Sequence, residues 1–325
     1  MGKKVDVVVV GLGPAGLMAT IYALRYKLST VVVGKQLGGE LSLAHRVENL
    51  PGFKKISGAE WAEKVLEQVK ELGAEVVTGE VGRIDKKEKG FRVEMTNGKV
   101  FEAGAVIVAT GSERRRLGVP GEDEYLGRGV SYCTTCDGPF FKGRRVALIG
   151  GSDSAVSGAV HTAEYASKVY IVYRRDRLRA EPAWVEEWQR LEKEGKGETI
   201  YNTNVVEILG DGQKVTGVKL DNPYKGKEVL EVDGVFIEIG GVPGTALVEP
   251  MGVELDERGY VKVGEGMETK VAGLFCAGDM TSKSAEFKQA IWAMAQGARA
   301  AASAYRFLRQ QAAPPQRGVC APGSS

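Results

Sequence analysis

Cysteine is scarce in this chain: four in 325 residues. So few in so long a chain cannot form a disulfide scaffold, and a reducing compartment, the cytoplasm, is expected. An excess of one charge is also missing. Lys+Arg 44 against Asp+Glu 42 leaves a net charge of +2, which argues against a nucleic-acid surface while allowing a local basic pocket. No apolar run is long enough to span a bilayer. Met1-Gly2-Lys3-Lys4-Val5-Asp6 leads straight into a strand with no signal-peptide pattern, so no membrane partner is expected. Histidine is rarer still, with only His45 and His161.

What is present centres on Ser131-Tyr132-Cys133-Thr134-Thr135-Cys136-Asp137-Gly138. Cysteines three apart can close a disulfide across one turn of chain. Arg144-Arg145-Val146-Ala147-Leu148-Ile149-Gly150-Gly151 follows as a buried strand and glycine turn. A C-x-x-C directly before a nucleotide-binding strand points to electron transfer between a cofactor and a dithiol. The plainer alternatives are a zinc half-site or two buried thiols. Zinc needs about two more ligands. Cys276, Cys320, His45 and His161 do not stand at ligand spacing, so no metal is expected.

The chain opens with a β-branched strand, Val5 to Val10, then Gly11-Leu12-Gly13-Pro14-Ala15-Gly16. A helix from Leu17 to Tyr26 and a strand from Thr30 to Gly34 follow. Strand, G-x-G-x-x-G, helix and strand in that order form the dinucleotide fingerprint in its proper context. Its glycines let backbone N–H groups approach a pyrophosphate at the helix N-terminus. The second strand ends in Gly34-Lys35, not in the acid that would hold an NAD ribose, which leaves FAD or a shifted contact. Gly38-Gly39-Glu40-Leu41 and Val47-Glu48-Asn49-Leu50-Pro51-Gly52 read as loops that could contact a ligand. A helix from about Ala59 to Leu72, capped by Ser57, precedes strands at 75–78, 81–85, 91–95 and 99–102. The strand from Ala105 ends in Ala109-Thr110-Gly111.

The second fingerprint is Gly150-Gly151-Ser152-Asp153-Ser154-Ala155, with Ser152 where the second glycine belongs. The next strand, Lys168 to Tyr173, ends in Arg174 and Arg175, with Arg177 and Arg179 beyond. Arginines there accommodate the 2′-phosphate of NADP; a solvated basic turn is the alternative. Trp184, Trp188 and Leu191 share helical spacing and read as core. Strands at 203–209, 215–221, 228–232 and 235–241 follow. Leu274-Phe275-Cys276-Ala277-Gly278-Asp279 is a strand ending in an acid, and a helix runs from Glu286 to Phe307. The Ala/Pro/Gly/Ser tail is expected to be flexible, with Cys320 an idle thiol.

This order of motifs resembles the low-molecular-weight thioredoxin reductases from Val5 to about Arg309. Cys-Thr-Thr-Cys-Asp-Gly is its most specific mark. Gly-Gly-Glu-Leu at 38–41 has Glu40 where the family usually has Gln. The resemblance implies an α/β fold of two Rossmann-like three-layer domains, the second inserted in the first. The FAD-binding domain would take 1–115 and 244–312, the NAD(P)H-binding domain 116–243, and the tail 313–325. The fingerprint at Gly11, Gly13, Pro14, Ala15 and Gly16 would then hold FAD. So would Gly38, Gly39, Glu40, Leu41, Asn49, Ala109, Thr110, Gly111, Gly278, Asp279, Lys288, Gln289 and Ala290. NADPH would lie on Gly151, Ser152, Asp153, Ser154, Ala155, Arg174, Arg175 and Arg179. Ser152, and Tyr173 where His is usual, are two departures in that one site.

The resemblance also implies the chemistry. Electrons pass from NADPH through FAD to Cys133–Cys136 and on to a thioredoxin-like dithiol protein. Cys136 faces the flavin, Cys133 attacks the substrate disulfide, and Asp137 is acid and base. The inserted domain would rotate about crossovers near 114–117 and 242–245, in a homodimer. The rival readings are a same-fold enzyme fed by ferredoxin and a non-catalytic flavin redox sensor.

Overall fold

The computed structural model describes residues 2–312, so Cys320 and the 313–325 tail lie outside the described residues. The described chain forms two units. The first takes 2–39, 62–111 and 243–312; the second takes 40–61 and 112–242.

The first unit begins with β1 (Lys3–Val10), α1 (Pro14–Arg25) and β2 (Thr30–Gly34). Val7 to Val10 are at most 4% exposed, as a strand covered on both faces requires. The Ser57 hydroxyl accepts the Glu60 N–H, capping α2 (Gly58–Glu71) as the sequence predicts. Then come β3 (Glu75–Thr78), β4 (Val81–Lys86), β5 (Phe91–Met95) and β6 (Val100–Val108). The sheet order is β3-β2-β1-β6-β5-β4. It is parallel from β3 to β6 and antiparallel beyond.

The expected strands at 99–102 and 105–111 are one strand, β6. Gly104 within it marks a close approach rather than a break. A Cβ there would lie 2.6 Å from Leu308 Cδ2 and 3.4 Å from the Asp6 carbonyl oxygen.

The second unit holds β7 (Ser112–Arg114), β8 (Val130–Ser131), α3 (Thr134–Asp137), β9 (Arg145–Ile149), α4 (Asp153–Thr162), β10 (Lys168–Val172), α5 (Pro182–Lys193) and β11 (Gly197–Ile200). The antiparallel β12 (Val205–Gly210), β13 (Val215–Tyr224) and β14 (Lys227–Leu230) precede β15 (Gly234–Ile237) and β16 (Gly241–Pro243). A parallel sheet, β11-β10-β9-β15-β8, is the middle layer. One face packs on α4 and α5 through Leu148, Val156, Ile171, Trp188 and Leu191. Trp188 and Leu191 are therefore core. The other face packs through Ala147, Ile149 and Val235 on Ile208 and Val218 of the antiparallel sheet. Strand β11 is not legible in the sequence, because Gly197-Glu198-Thr199-Ile200 is short and polar in the middle.

The chain then returns to the first unit. β17 (Leu274–Cys276) adds in parallel to β6, and α6 (Ala290–Ala312) packs on α1. Ala300, Ala301 and Ala304 are fully buried, and a Cβ on Gly297 would lie 2.8 Å from the Ala15 carbonyl carbon. Small residues let these two helices approach backbone to backbone. The helix starts at Ala290, later than the expected Glu286, after a 3₁₀ turn at Ser282–Ser284.

Candidate active site

The first cradle lies at the carboxyl ends of the parallel strands of the first unit. Gly11 N donates to Val33 O at 2.7 Å, Ala109 N to Val10 O at 2.7 Å, and Ala277 N to Val108 O at 3.0 Å. These bonds bring the Gly11–Gly16 turn, Ala109-Thr110-Gly111 and Gly278-Asp279 to one edge. Gly38 joins them through its N–H on Leu12 O at 2.8 Å. Gly278 N donates to the buried Gln296 Oε1 at 2.8 Å, which fixes the turn after β17. Gln296 was not among the expected site residues. Lys288 places its ammonium over the Tyr260 ring, 5.1 Å from the centroid, and Gln289 and Ala290 open α6.

The glycines of this turn differ in purpose. A Cβ on Gly16 would lie 2.8 Å from the Gly11 carbonyl carbon, and one on Gly11 2.7 Å from that of Ala109. Backbone cannot yield there. A Cβ on Gly13 would meet nothing nearer than Gly39 Cα at 3.9 Å. Gly13 is thus bare without a packing reason, as a backbone that must approach a pyrophosphate should be. The residues fit a bound dinucleotide. We expect Gly13→Ala to purify without flavin yet to match the stability of the flavin-free wild-type protein. Gly16→Ala should lose flavin and at least about 3 kcal/mol of stability. Flavin absorbance and urea unfolding check both.

Glu40, Leu41 and Asn49 fall in the second unit. There Glu40 pairs with Arg114 at 3.2 Å, and Asn49 Nδ2 donates to Glu181 Oε1 at 3.3 Å.

The second cradle is the turn between β9 and α4. Ser152 is the N-cap position of α4, without a side-chain cap bond. Ser154 and Ala155 lie in its first turn. Gly151 O accepts the Arg179 N–H at 2.7 Å, and Asp153 Oδ1 accepts the Glu181 N–H at 2.7 Å. A Cβ on Gly151 would lie 2.5 Å from the buried Tyr173 ring, so that tyrosine packs directly under the turn. Arg174, Arg175, Arg177 and Arg179 are exposed beyond β10, and none is in an ion pair among the described residues.

Cys133 and Cys136 form a disulfide with Cα atoms 5.3 Å apart. Cys133 is the N-cap of α3, and its Sγ accepts the Cys136 N–H at 3.1 Å. Ser131 Oγ accepts the Cys133 N–H at 3.0 Å, and Thr135 Oγ1 donates to Leu43 O at 2.5 Å. Cys136 is exposed, while Cys133 and Asp137 are half-buried. A groove beside Asp137 is lined by Phe140, Arg128, Arg144, Lys214 and Asp233, the last 3.7 Å from Arg144. Phe140 is 81% exposed, which the sequence alone did not mark. Cys276 is fully buried on β17, and burial pushes its thiol well above the ordinary value, so it is inert.

Where the chain enters and leaves the second unit, Arg114 lies 3.2 Å from both Glu40 and Glu238. Burial pushes the Glu238 carboxyl up to about 7, against the attraction of Arg114 and with help from Glu40. A carboxyl raised on folding contributes stability that is present below its unfolded pKa and lost as pH rises through the folded one. Stability should therefore fall between pH 4.5 and about 7 by roughly 3 kcal/mol from this group. Glu238→Gln should flatten that slope in urea unfolding across the same window.

The family model for pyridine nucleotide-disulphide oxidoreductases matches residues 5–298. A thioredoxin reductase of Listeria innocua is 42% identical over 311 residues, covering 95% of each chain. The structure of Lactococcus lactis thioredoxin reductase (FR conformation) superposes with a TM-score of 0.88 at 35% identity, over 94% of this chain and 99% of that one. T. acidophilum thioredoxin reductase gives 0.87 at 41% identity, over 94% and 98%. The chain belongs to the pyridine nucleotide-disulphide oxidoreductases, and it carries a Cys133–Cys136 disulfide in the second of its two units. Within them it falls among the low-molecular-weight thioredoxin reductases.

No helix among the described residues is long and apolar enough to cross a membrane.

Proposed function

We propose that this protein reduces the disulfide of a thioredoxin-like protein with electrons from NADPH, through FAD and Cys133–Cys136. The observation that carries the reading is the disulfide at the start of α3, in the same unit as a nucleotide turn followed by unpaired arginines. Bound FAD supplies the two-electron link between nicotinamide and disulfide. The first cradle would hold it through the Gly11–Gly16 turn, Ala109–Gly111 and Gly278–Asp279. Arg174, Arg175 and Arg179 would clasp the 2′-phosphate of NADPH. Each cycle consumes one NADPH and one proton and converts one substrate disulfide to two thiols. Cys133 attacks the substrate sulfur, Cys136 resolves the mixed disulfide, and Asp137 carries the proton that one thiol must gain or lose. Exposed Phe140, with Arg128, Arg144 and Lys214 around it, offers the protein substrate an apolar contact in a basic rim. Cytoplasmic location and a homodimer belong to the same proposal.

A second reading keeps the fold and the dithiol but takes electrons from ferredoxin. Ser152 and the Tyr173 ring under Gly151 favour it. Steady-state oxidation of NADPH in the presence of an oxidised thioredoxin tests the first reading. Turnover supports it. No turnover with NADPH, but turnover with reduced ferredoxin, replaces it with the second.

A further inference from the structure

The two histidines of this chain are far apart in sequence, and the fold sets them face to face. The rings of His45 and His161 are 3.7 Å apart between centroids, with planes 19° from parallel. Glu164, just past the end of α4, reaches both. One carboxylate oxygen lies 3.8 Å from His45 Nε2 and the other 3.7 Å from His161 Nδ1. One ligand atom from each of the three residues lies within 4.8 Å of the others. His161 is only 4% exposed, and neither ring nitrogen has a hydrogen-bond partner. Buried polar atoms are rarely left so, because burial without a partner is costly. Tyr165 packs on His161 with ring centroids 5.4 Å apart and planes 86° apart.

We propose that His45, His161 and Glu164 form a binding site for a divalent transition-metal ion, best suited to zinc, with water in the remaining position. Two imidazole nitrogens and one carboxylate oxygen are a recurrent zinc set with an open place. A nitrogen-rich set of this kind disfavours calcium and magnesium, which take oxygen ligands. With zinc bonds of about 2.0–2.1 Å, neighbouring ligand atoms in a tetrahedron stand about 3.4 Å apart. The three ligand atoms, within 4.8 Å of one another, therefore have to draw together by about an ångström for most pairs. Stacked rings cannot both aim lone pairs at one point, so one must turn. His45 and Glu164 have side chains 35% and 51% exposed and are free to do so, while buried His161 holds still.

The position gives the site a consequence. A Cβ on Gly138 would lie 4.0 Å from His161 Nε2, and Gly138 directly follows Cys136-Asp137. A bound ion would pin the 40–61 segment to the end of α4, behind the segment that carries the reactive disulfide.

The test is zinc titration of tag-free, chelator-stripped protein in its disulfide form, so that no thiol of Cys133 or Cys136 can act as ligand. Calorimetry should show one saturable zinc per chain, and zinc should raise the thermal midpoint. His45→Ala and Glu164→Gln alter accessible side chains and should leave the fold intact. Each should weaken zinc by at least about tenfold and erase the thermal shift. Glu63→Gln, on the exposed side of α2, should change neither. Absence of saturable binding would overturn the proposal. So would binding of equal strength in His45→Ala and Glu164→Gln, which would place any zinc elsewhere.

Discussion

Replacing either cysteine of the pair with serine should lower thioredoxin-reducing turnover by at least about 1000-fold while flavin stays bound. The two sulfurs are joined in the structure, and their Cα atoms are 5.3 Å apart. Exchange needs an attacking thiolate and a second thiol to expel the bound substrate, so neither sulfur can substitute for both. The local geometry should survive the change, because a serine hydroxyl at 133 can still cap α3 by accepting the Cys136 N–H. The nucleotide cradles are built from other segments, so flavin content and NADPH binding should not move. The variants also separate the two roles. With the substrate disulfide supplied in excess, Cys136→Ser should accumulate a mixed disulfide on Cys133, seen as an added mass on the intact chain. Cys133→Ser should not. Retention of more than a tenth of wild-type turnover by either variant would remove the pair from the reaction.

The second large effect concerns the donor. Arg174→Ala with Arg175→Ala should lower kcat/KM for NADPH by about 100-fold and leave that for NADH nearly unchanged. Two charge-assisted contacts to one phosphate, at about 1.4 kcal/mol each, correspond to that factor. Both arginines are exposed beyond β10 and outside any ion pair among the described residues, so their loss should not cost stability. Equal losses with the two nucleotides would mean that the arginines do not read the 2′-phosphate. An unchanged NADPH value would return them to the solvated basic turn.

The parts of the molecule legible in the sequence were those whose cause is local. Val7 to Val10, the glycine turn after them and the order of strand and helix around it are short-range patterns, and they appear where expected. So do the turn before α4 and the arginines past β10. Features that depend on tertiary packing were not legible. Gly104 falls between the two strands expected at 99–102 and from Ala105, and its cause lies far off in the chain, where Leu308 of α6 packs against it. The loop at Glu40 and Asn49 belongs by contact with the second unit, although its sequence follows the first fingerprint directly. Glu238 looked like an ordinary strand residue. Its burial beside Arg114 is what makes it unusual. Two histidines without ligand spacing gave no hint that α4 and the 40–61 segment would stack their rings. The four-residue α3 is too short for any periodic pattern to reveal.

The most direct test of the electron path is anaerobic addition of NADPH to the purified yellow enzyme, following the visible absorbance of the flavin. The account predicts that two NADPH per chain bleach the flavin and open two new titratable thiols, two electrons for each centre, and that equal NADH reacts far more slowly. A flavin that dithionite reduces but NADPH does not would contradict it, and would make the turn at Gly151-Ser152 a remnant in an enzyme fed by another donor.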